Sequence, residues 1–203
     1  MISCIILAGG KSSRFFEKSK SKVSAPSKAF VKLGDKPMIV YVLDVVKKFF
    51  PEIVIVVKTK KQKAEMEKIV KSSKVTVVAD NNKSYSPIIG IQAGIEYVSG
   101  EDVFVVGCDM PFVNGVTIFR LMNKVKKSVE CVVPSKSGRY EPLCAIYKKH
   151  VFKDCRPDES LRGLIEKCKK LLIPIYDDSV FFNINTRDDL EQAEKLLAAT
   201  TKK

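Results

Sequence analysis

The feature that most constrains the fold of this chain is a series of short, largely apolar runs, at residues 2–6, 53–57, 75–78, 103–106 and 131–133. Apolar runs of that length suit strands buried on both faces. Helical patterns separate them. Ile39, Val42, Leu43 and Val46 fall at helical spacing within residues 38–49, and residues 60–71 read as an amphipathic helix. Ser86-Pro87 opens a helix with serine as cap and proline at the first helical position. That helix carries Ile88, Ile91, Ile95 and Val98, with Gly90 and Gly94 one turn apart on a close-packing face. Asn114 caps the next. Strands alternating with helices predict an α/β fold around a mostly parallel sheet. Residues 143–147 look like a strand of another kind, because no long helix separates them from their predecessor. Ser160 is expected to cap a short helix through Cys168, and residues 171–175 form a late strand. Thr186 with Asp189 makes a capping box for a last helix whose buried face is Leu190, Ala193, Leu196 and Leu197. The 203 residues suit a single domain over 1–203, with no linker or internal repeat.

In such sheets ligands sit beyond the carboxyl ends of the strands. The first run ends in Leu7-Ala8-Gly9-Gly10-Lys11-Ser12-Ser13-Arg14. Glycines let a backbone turn sharply and bring its N–H groups onto an anion, and Lys11 and Arg14 add cationic donors. Two better-known loops do not match. A Walker A loop needs a glycine where Ile5 stands, and a dinucleotide fingerprint needs a third glycine. Residues 11–27, rich in Ser and Lys and without periodicity, read as a mobile loop over the site.

Composition narrows the function classes. Hydrophobic content of 45% and charged content of 29% suit a globular protein. No apolar run approaches the ~20 residues of a membrane span. The first residues lack a signal peptide's basic start and cleavage site, so a cytoplasmic protein is expected. Six cysteines without a C-x-x-C pair read as reduced, buried small hydrophobes. A net charge of +13 raises nucleic-acid binding as the rival class. The charge is mostly Lys with few interleaved aromatics and no groove-reading helix motif, which fits a solvated surface better. His150, the single histidine, reads as surface structure.

Several residues can carry chemistry. Asp109 follows an apolar strand and precedes Met110-Pro111, which places its carboxylate at the strand's exit. A carboxylate facing a phosphate loop suits Mg²⁺, which takes one or two carboxylates plus water and phosphate oxygens. The plain alternative is a loop aspartate capping a turn. Asn183 and Asn185 alternate with apolar residues, so both point to one side of an extended segment. They could give neutral oxygens to a metal, or serve as turn and cap residues before the last helix. Lys28 could close over phosphates, or be one more surface lysine. Asp80 could accept hydrogen bonds from a nucleoside, since guanine and ribose both present donors.

Leu7 to Arg14, Ser86-Pro87-Ile88-Ile89-Gly90, Gly107-Cys108-Asp109-Met110-Pro111-Phe112, Glu141-Pro142-Leu143-Cys144-Ala145-Ile146-Tyr147, Ser160-Leu161-Arg162 and Phe182-Asn183-Ile184-Asn185-Thr186 occur in that order. Together they resemble the molybdenum cofactor guanylyltransferase family over nearly the whole chain. The resemblance implies a Rossmann-like, three-layer nucleotidyltransferase fold that uses GTP and Mg²⁺ to attach GMP to molybdopterin. It puts the nucleotide on Leu7, Ala8, Gly9, Gly10, Lys28, Asp80 and Asp109, and the metal on Asp109. Arg14, Lys28 and Asp109 become the catalytic set, and Asn183 and Asn185 fall on the acceptor side. The chain departs from the pattern in places. Phe15-Phe16 replaces a usual Met-Gly, Ser27 an aspartate and Ser86 a glycine. An asparagine common after the second strand has no counterpart among Lys58, Thr59 and Lys60.

The implied partners are GTP, molybdopterin or its molybdenum-loaded form, and transiently the proteins that handle that cofactor, with no membrane and no specific nucleic acid. The last segment also resembles guanylyltransferases that act on adenosylcobinamide phosphate. The middle of the chain favours the molybdenum family, and its polar loop ends (Lys136, Ser137, Arg139, Glu141, Arg162) suit a flat polar acceptor better than a bulky macrocycle.

Overall fold

A computed structural model describes residues 1–10, 15, 27–82 and 84–201. Of the expected mobile loop over 11–27, only Phe15 and Ser27 are among them; Lys11 and Arg14 lie outside the described residues. Strand β1 (Ile2–Leu7) is followed by a hairpin, β2 (Lys32–Leu33) and β3 (Lys36–Pro37), that turns at Gly34 with φ +59°. The remaining strands are β4 (Ile53–Val57), β5 (Val75–Ala79), β6 (Asp102–Gly107), β7 (Cys131–Lys136), β8 (Arg139–Tyr140), β9 (Cys144–Lys148) and β10 (Lys170–Pro174). The helices are α1 (Met38–Val46), α2 (Lys60–Ile69), α3 (Pro87–Ile95), α4 (Gly115–Met122), α5 (Leu161–Lys167) and α6 (Arg187–Thr201).

The main sheet runs in the order β10-β7-β9-β6-β1-β4-β5, with β8 beside β7. β1 pairs in parallel with both β4 and β6, β4 with β5, and β7 with β10. β9 lies antiparallel to both β6 and β7, so the expected mostly parallel sheet is interrupted there. β9 is the strand singled out in the sequence for lacking a helical crossover, and a reversal without a crossover gives an antiparallel pair. From β1 the chain winds outward through β4 to β5. It then crosses by α3 to β6 on the other side of β1, which puts a topological switch point between β1 and β6.

Both faces of the sheet are covered, which is why its central strands are largely apolar on both sides. Cys4, Ile6, Ile55, Val57, Phe104 and Val106 pack with Val42 and Val46 of α1, Met66 of α2 and Ile118 of α4. Ile5, Val54, Val56, Val103 and Val105 pack on the other side with Ile88 and Ile91 of α3 and Ile165 of α5. The two expected glycines make the α3 contact close. A Cβ on Gly94 would lie 2.9 Å from the Ile5 side chain, and one on Gly90 3.0 Å from that of Leu7. A third cluster joins Phe15, Leu33, Met38, Ile184 and Ala193. Cys4, Cys108, Cys131 and Cys144 are buried, and all six thiols are free. Burial, then the Asp109 charge, pushes the Cys108 thiol up to about 12, so it packs as a small hydrophobe.

Boundaries shift modestly. α1 ends at Val46, and residues 47–49 continue as a turn before Pro51. α2 stops at Ile69, and the late strand starts one residue early, at Lys170. Ser86 stands at the N-cap of α3, but its hydroxyl makes no cap bond. On α6 the stripe Leu190, Ala193 and Leu197 faces the third cluster, whereas Leu196 is 42% exposed and off that face. The helix covers a narrow surface, so one row of side chains suffices.

The capping box forms as expected. Asp189 Oδ2 accepts the N–H groups of Asn185 (2.9 Å) and Thr186 (2.8 Å), and Thr186 Oγ1 accepts from the Asp189 N–H at 3.1 Å. Burial works to raise the Asp189 carboxyl. The bonds from Asn185 and Thr186 and the Lys28 charge outweigh it and hold the carboxyl below the usual range. A depressed folded value means the stabilisation is complete above the unfolded value of about 4 and is lost as pH falls through the folded one. Asp189→Ala should therefore cost about 1 kcal/mol near pH 7, as lost caps do, and less as pH drops below about 4. Thermal melts of both proteins over that range should converge at the acid end; a constant gap would count against the charged cap.

Candidate active site

Register places the strand exits side by side. Leu7 lies opposite Val56 and Gly107, and Val57 opposite Ala79. The residues that follow therefore emerge across the sheet edge in the order Asp109, Gly9, Lys58, Asp80. Neighbouring strands are about 4.8 Å apart, so the two aspartates, three strands apart, span about 14 Å. Above this edge opens a cleft of about 410 Å³.

The first turn sits tightly on its neighbour. Ala8 N–H donates to the Val56 carbonyl (2.8 Å), and a Cβ on Gly9 would meet the Lys58 nitrogen at 3.2 Å and the Val57 carbonyl carbon at 3.3 Å. Backbone atoms give way less readily than side-chain ends, so glycine is favoured where β1 leaves the sheet. Gly10 also lines the cleft, and a Cβ there would meet nothing within 4 Å. Ser27, buried, donates its hydroxyl to the Ala8 carbonyl at 2.8 Å, which ties the start of the Lys28–Phe30 turn to this loop.

At one end of the cleft Lys28 reaches in. Its Nζ donates to Asp109 Oδ2 at 2.8 Å and to Asn185 Oδ1 at 2.9 Å. The Asp109 carbonyl accepts the Ile184 N–H (2.9 Å), so residues from positions 28, 109 and 185 are locked into one cluster. Gly107 makes room for it, since a Cβ there would stand 2.4 Å from Asp109 Oδ1. An ammonium held between a carboxylate and an amide oxygen marks a place where cations are favoured.

At the other end Lys58 and Asp80 form an ion pair, with Nζ 3.0 Å from Oδ1 and side chains 8% and 6% exposed. Lys58 Nζ also donates to the Ser84 carbonyl at 2.5 Å and lies 4.8 Å from the Tyr85 ring centre. Breaking so buried a pair from one side costs about 3–5 kcal/mol, because the other charge is left alone. Asp80 N–H donates to the Val57 carbonyl, and Asn82 N–H to Asp80 Oδ1 at 2.8 Å. Asn81 takes a positive φ of 49° in this turn.

The sequence and the fold that build this cleft both have counterparts among known proteins. Residues 4–172 match the model of the MobA-like NTP transferase domain. The chain belongs to the MobA-like NTP transferase family. A probable molybdenum cofactor guanylyltransferase of Natranaerobius thermophilus is 31% identical over 215 residues, covering 98% of both chains. A molybdenum cofactor guanylyltransferase of Desulfosudis oleivorans is 30% identical, over 98% of this chain and 96% of that one. Among solved structures, molybdopterin-guanine dinucleotide biosynthesis protein A of Archaeoglobus fulgidus is 25% identical, with a TM-score of 0.75 over 98% of this chain and all of that one. A nucleotidyl transferase of Methanothermobacter shares the fold, with a TM-score of 0.81 at 16% identity.

In this MobA-like protein, Leu7, Ala8, Gly9, Gly10, Lys28, Asp80, Asp109 and Asn185 all line the cleft. Arg14 falls outside the described residues. Asn183 does not share the position of Asn185. Its Nδ2 donates to Glu141 Oε2 at 3.1 Å, while its buried Oδ1 has no hydrogen-bond partner among the described residues. Ile184 between them is buried in the third cluster, which accounts for the alternation. Glu141 itself is held by the Leu143 N–H on its Oε1. His150 is exposed and pairs with Glu130 at 3.2 Å, away from the cleft.

Sequence reasoning misses Lys58, Tyr85 and Ser86 as members of the site. Lys58 carries a usable signal, since it directly follows an apolar strand run at the same edge as Gly9, Asp80 and Asp109. Among the described residues no helix is long and apolar enough to cross a membrane.

Proposed function

We propose that this protein transfers GMP from GTP to molybdopterin or its molybdenum-loaded form, with release of pyrophosphate. The observation that carries the reading is the Lys28–Asp109–Asn185 cluster beside the Gly9–Gly10 turn, at the switch point of the sheet. The names of the relatives that match over nearly the full chain support the same activity.

In this reading the triphosphate lies along the β1 exit, with Gly9 and Gly10 amides and the Lys28 ammonium on its oxygens, and the base lies toward Asp80. The acceptor's terminal phosphate attacks the α-phosphorus in line and pyrophosphate leaves. A phosphate nucleophile is already anionic near neutral pH, so positioning and charge neutralisation do most of the catalysis. Asp109 and Asn185 fit Mg²⁺, because both offer hard oxygens to one position and already share a cation there in Lys28. No cluster of at least three His, Cys, Asp or Glu able to hold a metal occurs among the described residues. Such a site takes the rest of its ligands from water and phosphate. Bound there, Mg²⁺ would neutralise charge that develops on the phosphates. On the acceptor side, Glu141 and the Asn183 amide oxygen, unpartnered among the described residues, suit a polar ring with N–H donors. The six free thiols fit a reducing, cytoplasmic setting.

The test is pyrophosphate release from GTP with molybdopterin and with adenosylcobinamide phosphate side by side. Release with molybdopterin and little with the cobinamide is expected; the reverse preference would assign the other acceptor. Calorimetry should also show saturable, Mg²⁺-dependent GTP binding that survives moderate salt, with ATP and CTP far weaker. Tight, salt-resistant oligonucleotide binding without nucleotide binding would instead make this a nucleic-acid protein.

A further inference from the structure

We propose that Lys58 is a positioning residue that sets guanine specificity by pinning Asp80 and the Ser84–Tyr85 turn at the base end of the cleft. The inference rests on the GTP reading above and adds a residue to it.

Lys58 is placed firmly and fully committed. Its backbone N–H donates to Gln62 Oε1 at 2.9 Å, in the first turn of α2. An ammonium has three N–H donors. Asp80, the Ser84 carbonyl and the Tyr85 ring face account for all three. Lys58 therefore has little left to offer a nucleotide directly and acts through what it holds.

What it holds is a carboxylate with capacity to spare. Asp80 Oδ1 accepts a hydrogen bond from Asn82 N–H, and Lys58 Nζ lies against both oxygens, 3.0 Å from Oδ1 and 3.1 Å from Oδ2. A carboxylate has about four acceptor sites over its two oxygens, and the single ammonium shared between them leaves room for further donors. Two neighbouring acceptors match the adjacent N1–H and 2-amino donors of guanine. Adenine presents a bare acceptor at N1, which a carboxylate repels. Tyr85 stands at the same end, 54% exposed and lining the cleft, where its ring can cover a flat base.

Without Lys58 this arrangement has little else to fix it. Within the turn the side-chain bonds are local, from Asn82 N–H to Asp80 and from Ser84 N–H to Asn82 Oδ1. Among the described residues, the side-chain ties from outside residues 80–85 come from Lys58.

The experiment measures calorimetric affinities for GTP and ITP, which lacks only the 2-amino group, with Mg²⁺ present. ATP serves as the reference for base selectivity. A hydrogen bond to a charged group is worth about tenfold or more, so wild-type protein should favour GTP over ITP by at least about that factor. Lys58→Met should weaken GTP by about tenfold while ITP changes less than about threefold, bringing the ratio toward one. A merely structural role would lower both affinities together. Should Lys58→Met fail to fold, Lys58→Arg decides. It keeps the charge, but its rigid pair of N–H donors takes one acceptor position on each Asp80 oxygen where the ammonium shares a single point between them, so the GTP preference should still fall at least about threefold with a normal melt. Retention of the wild-type ratio in the folded variant, or an equal loss of both nucleotides, overturns the role of Lys58. Wild-type protein that binds GTP no better than ATP overturns the guanylyl reading itself.

Discussion

Replacing Asp109 with alanine is expected to cut guanylyl transfer by at least about a thousandfold, corresponding to about 4 kcal/mol of transition-state stabilisation. The carboxylate stands at the β6 exit, with its main chain fixed by Ile184 and space for its Oδ1 secured by Gly107. It is the acidic member of the Lys28–Asp109–Asn185 cluster that would receive Mg²⁺ and the triphosphate. The fold should survive. The Lys28–Asp109 pair is less buried than Lys58–Asp80, at 12% and 21% exposure, and without Asp109 the ammonium keeps Asn185 Oδ1 as a partner and can reach water. Asp109→Asn keeps the shape and removes only the charge, so its activity should lie close to that of the alanine variant. Pyrophosphate release and thermal melts on both variants check this. Near-normal turnover in either would sink the metal assignment.

Much of this site is legible in the amino-acid sequence, because the fold writes it in one place. A buried parallel strand is a near-continuous apolar run, so a glycine or charged residue soon after such a run marks a strand exit. Gly9, Asp80 and Asp109 stand out for that reason. Lys58 satisfies the same rule, yet it opens a Lys-rich stretch in a chain of net charge +13, where that signal is easily passed over. Its significance comes from Asp80, 22 residues away, and only the pairing of Val57 with Ala79 brings the two together. The joint placement of Lys28 and Asn185 is equally non-local, since their bond closes a separation of 157 residues. Asn183 shows a subtler limit. Alternation puts Asn183 and Asn185 on one side of the segment, but over two residues an extended chain advances about 7 Å, enough to give each a different partner. The Leu196 expectation fails for a related reason. Helical periodicity shows which residues share a face, while the width of that face is set by what α6 lies against.

Lys28 should behave in two opposite ways when its charge is removed. In the nucleotide-free protein its ammonium sits 2.8 Å from Asp109 Oδ2 and 2.9 Å from Asn185 Oδ1, on the oxygens proposed for the metal. A divalent cation must displace it or bind beside a like charge, and both oppose binding. Lys28→Met keeps much of the side chain's bulk and removes that competitor, so Mg²⁺ affinity without nucleotide should rise at least about threefold. Turnover should move the other way. Once GTP is bound, the displaced ammonium finds partners in phosphate oxygens, and loss of such a clamp costs about 10²- to 10³-fold in rate. Arginine is not a simple substitute, because its planar fork cannot occupy the same point between two oxygens. Metal titration of the nucleotide-free variant and turnover of the saturated enzyme read the two effects separately. A fall in turnover without a gain in metal affinity would leave Lys28 on the phosphates but remove the metal from Asp109 and Asn185. Unchanged turnover would remove Lys28 from catalysis altogether.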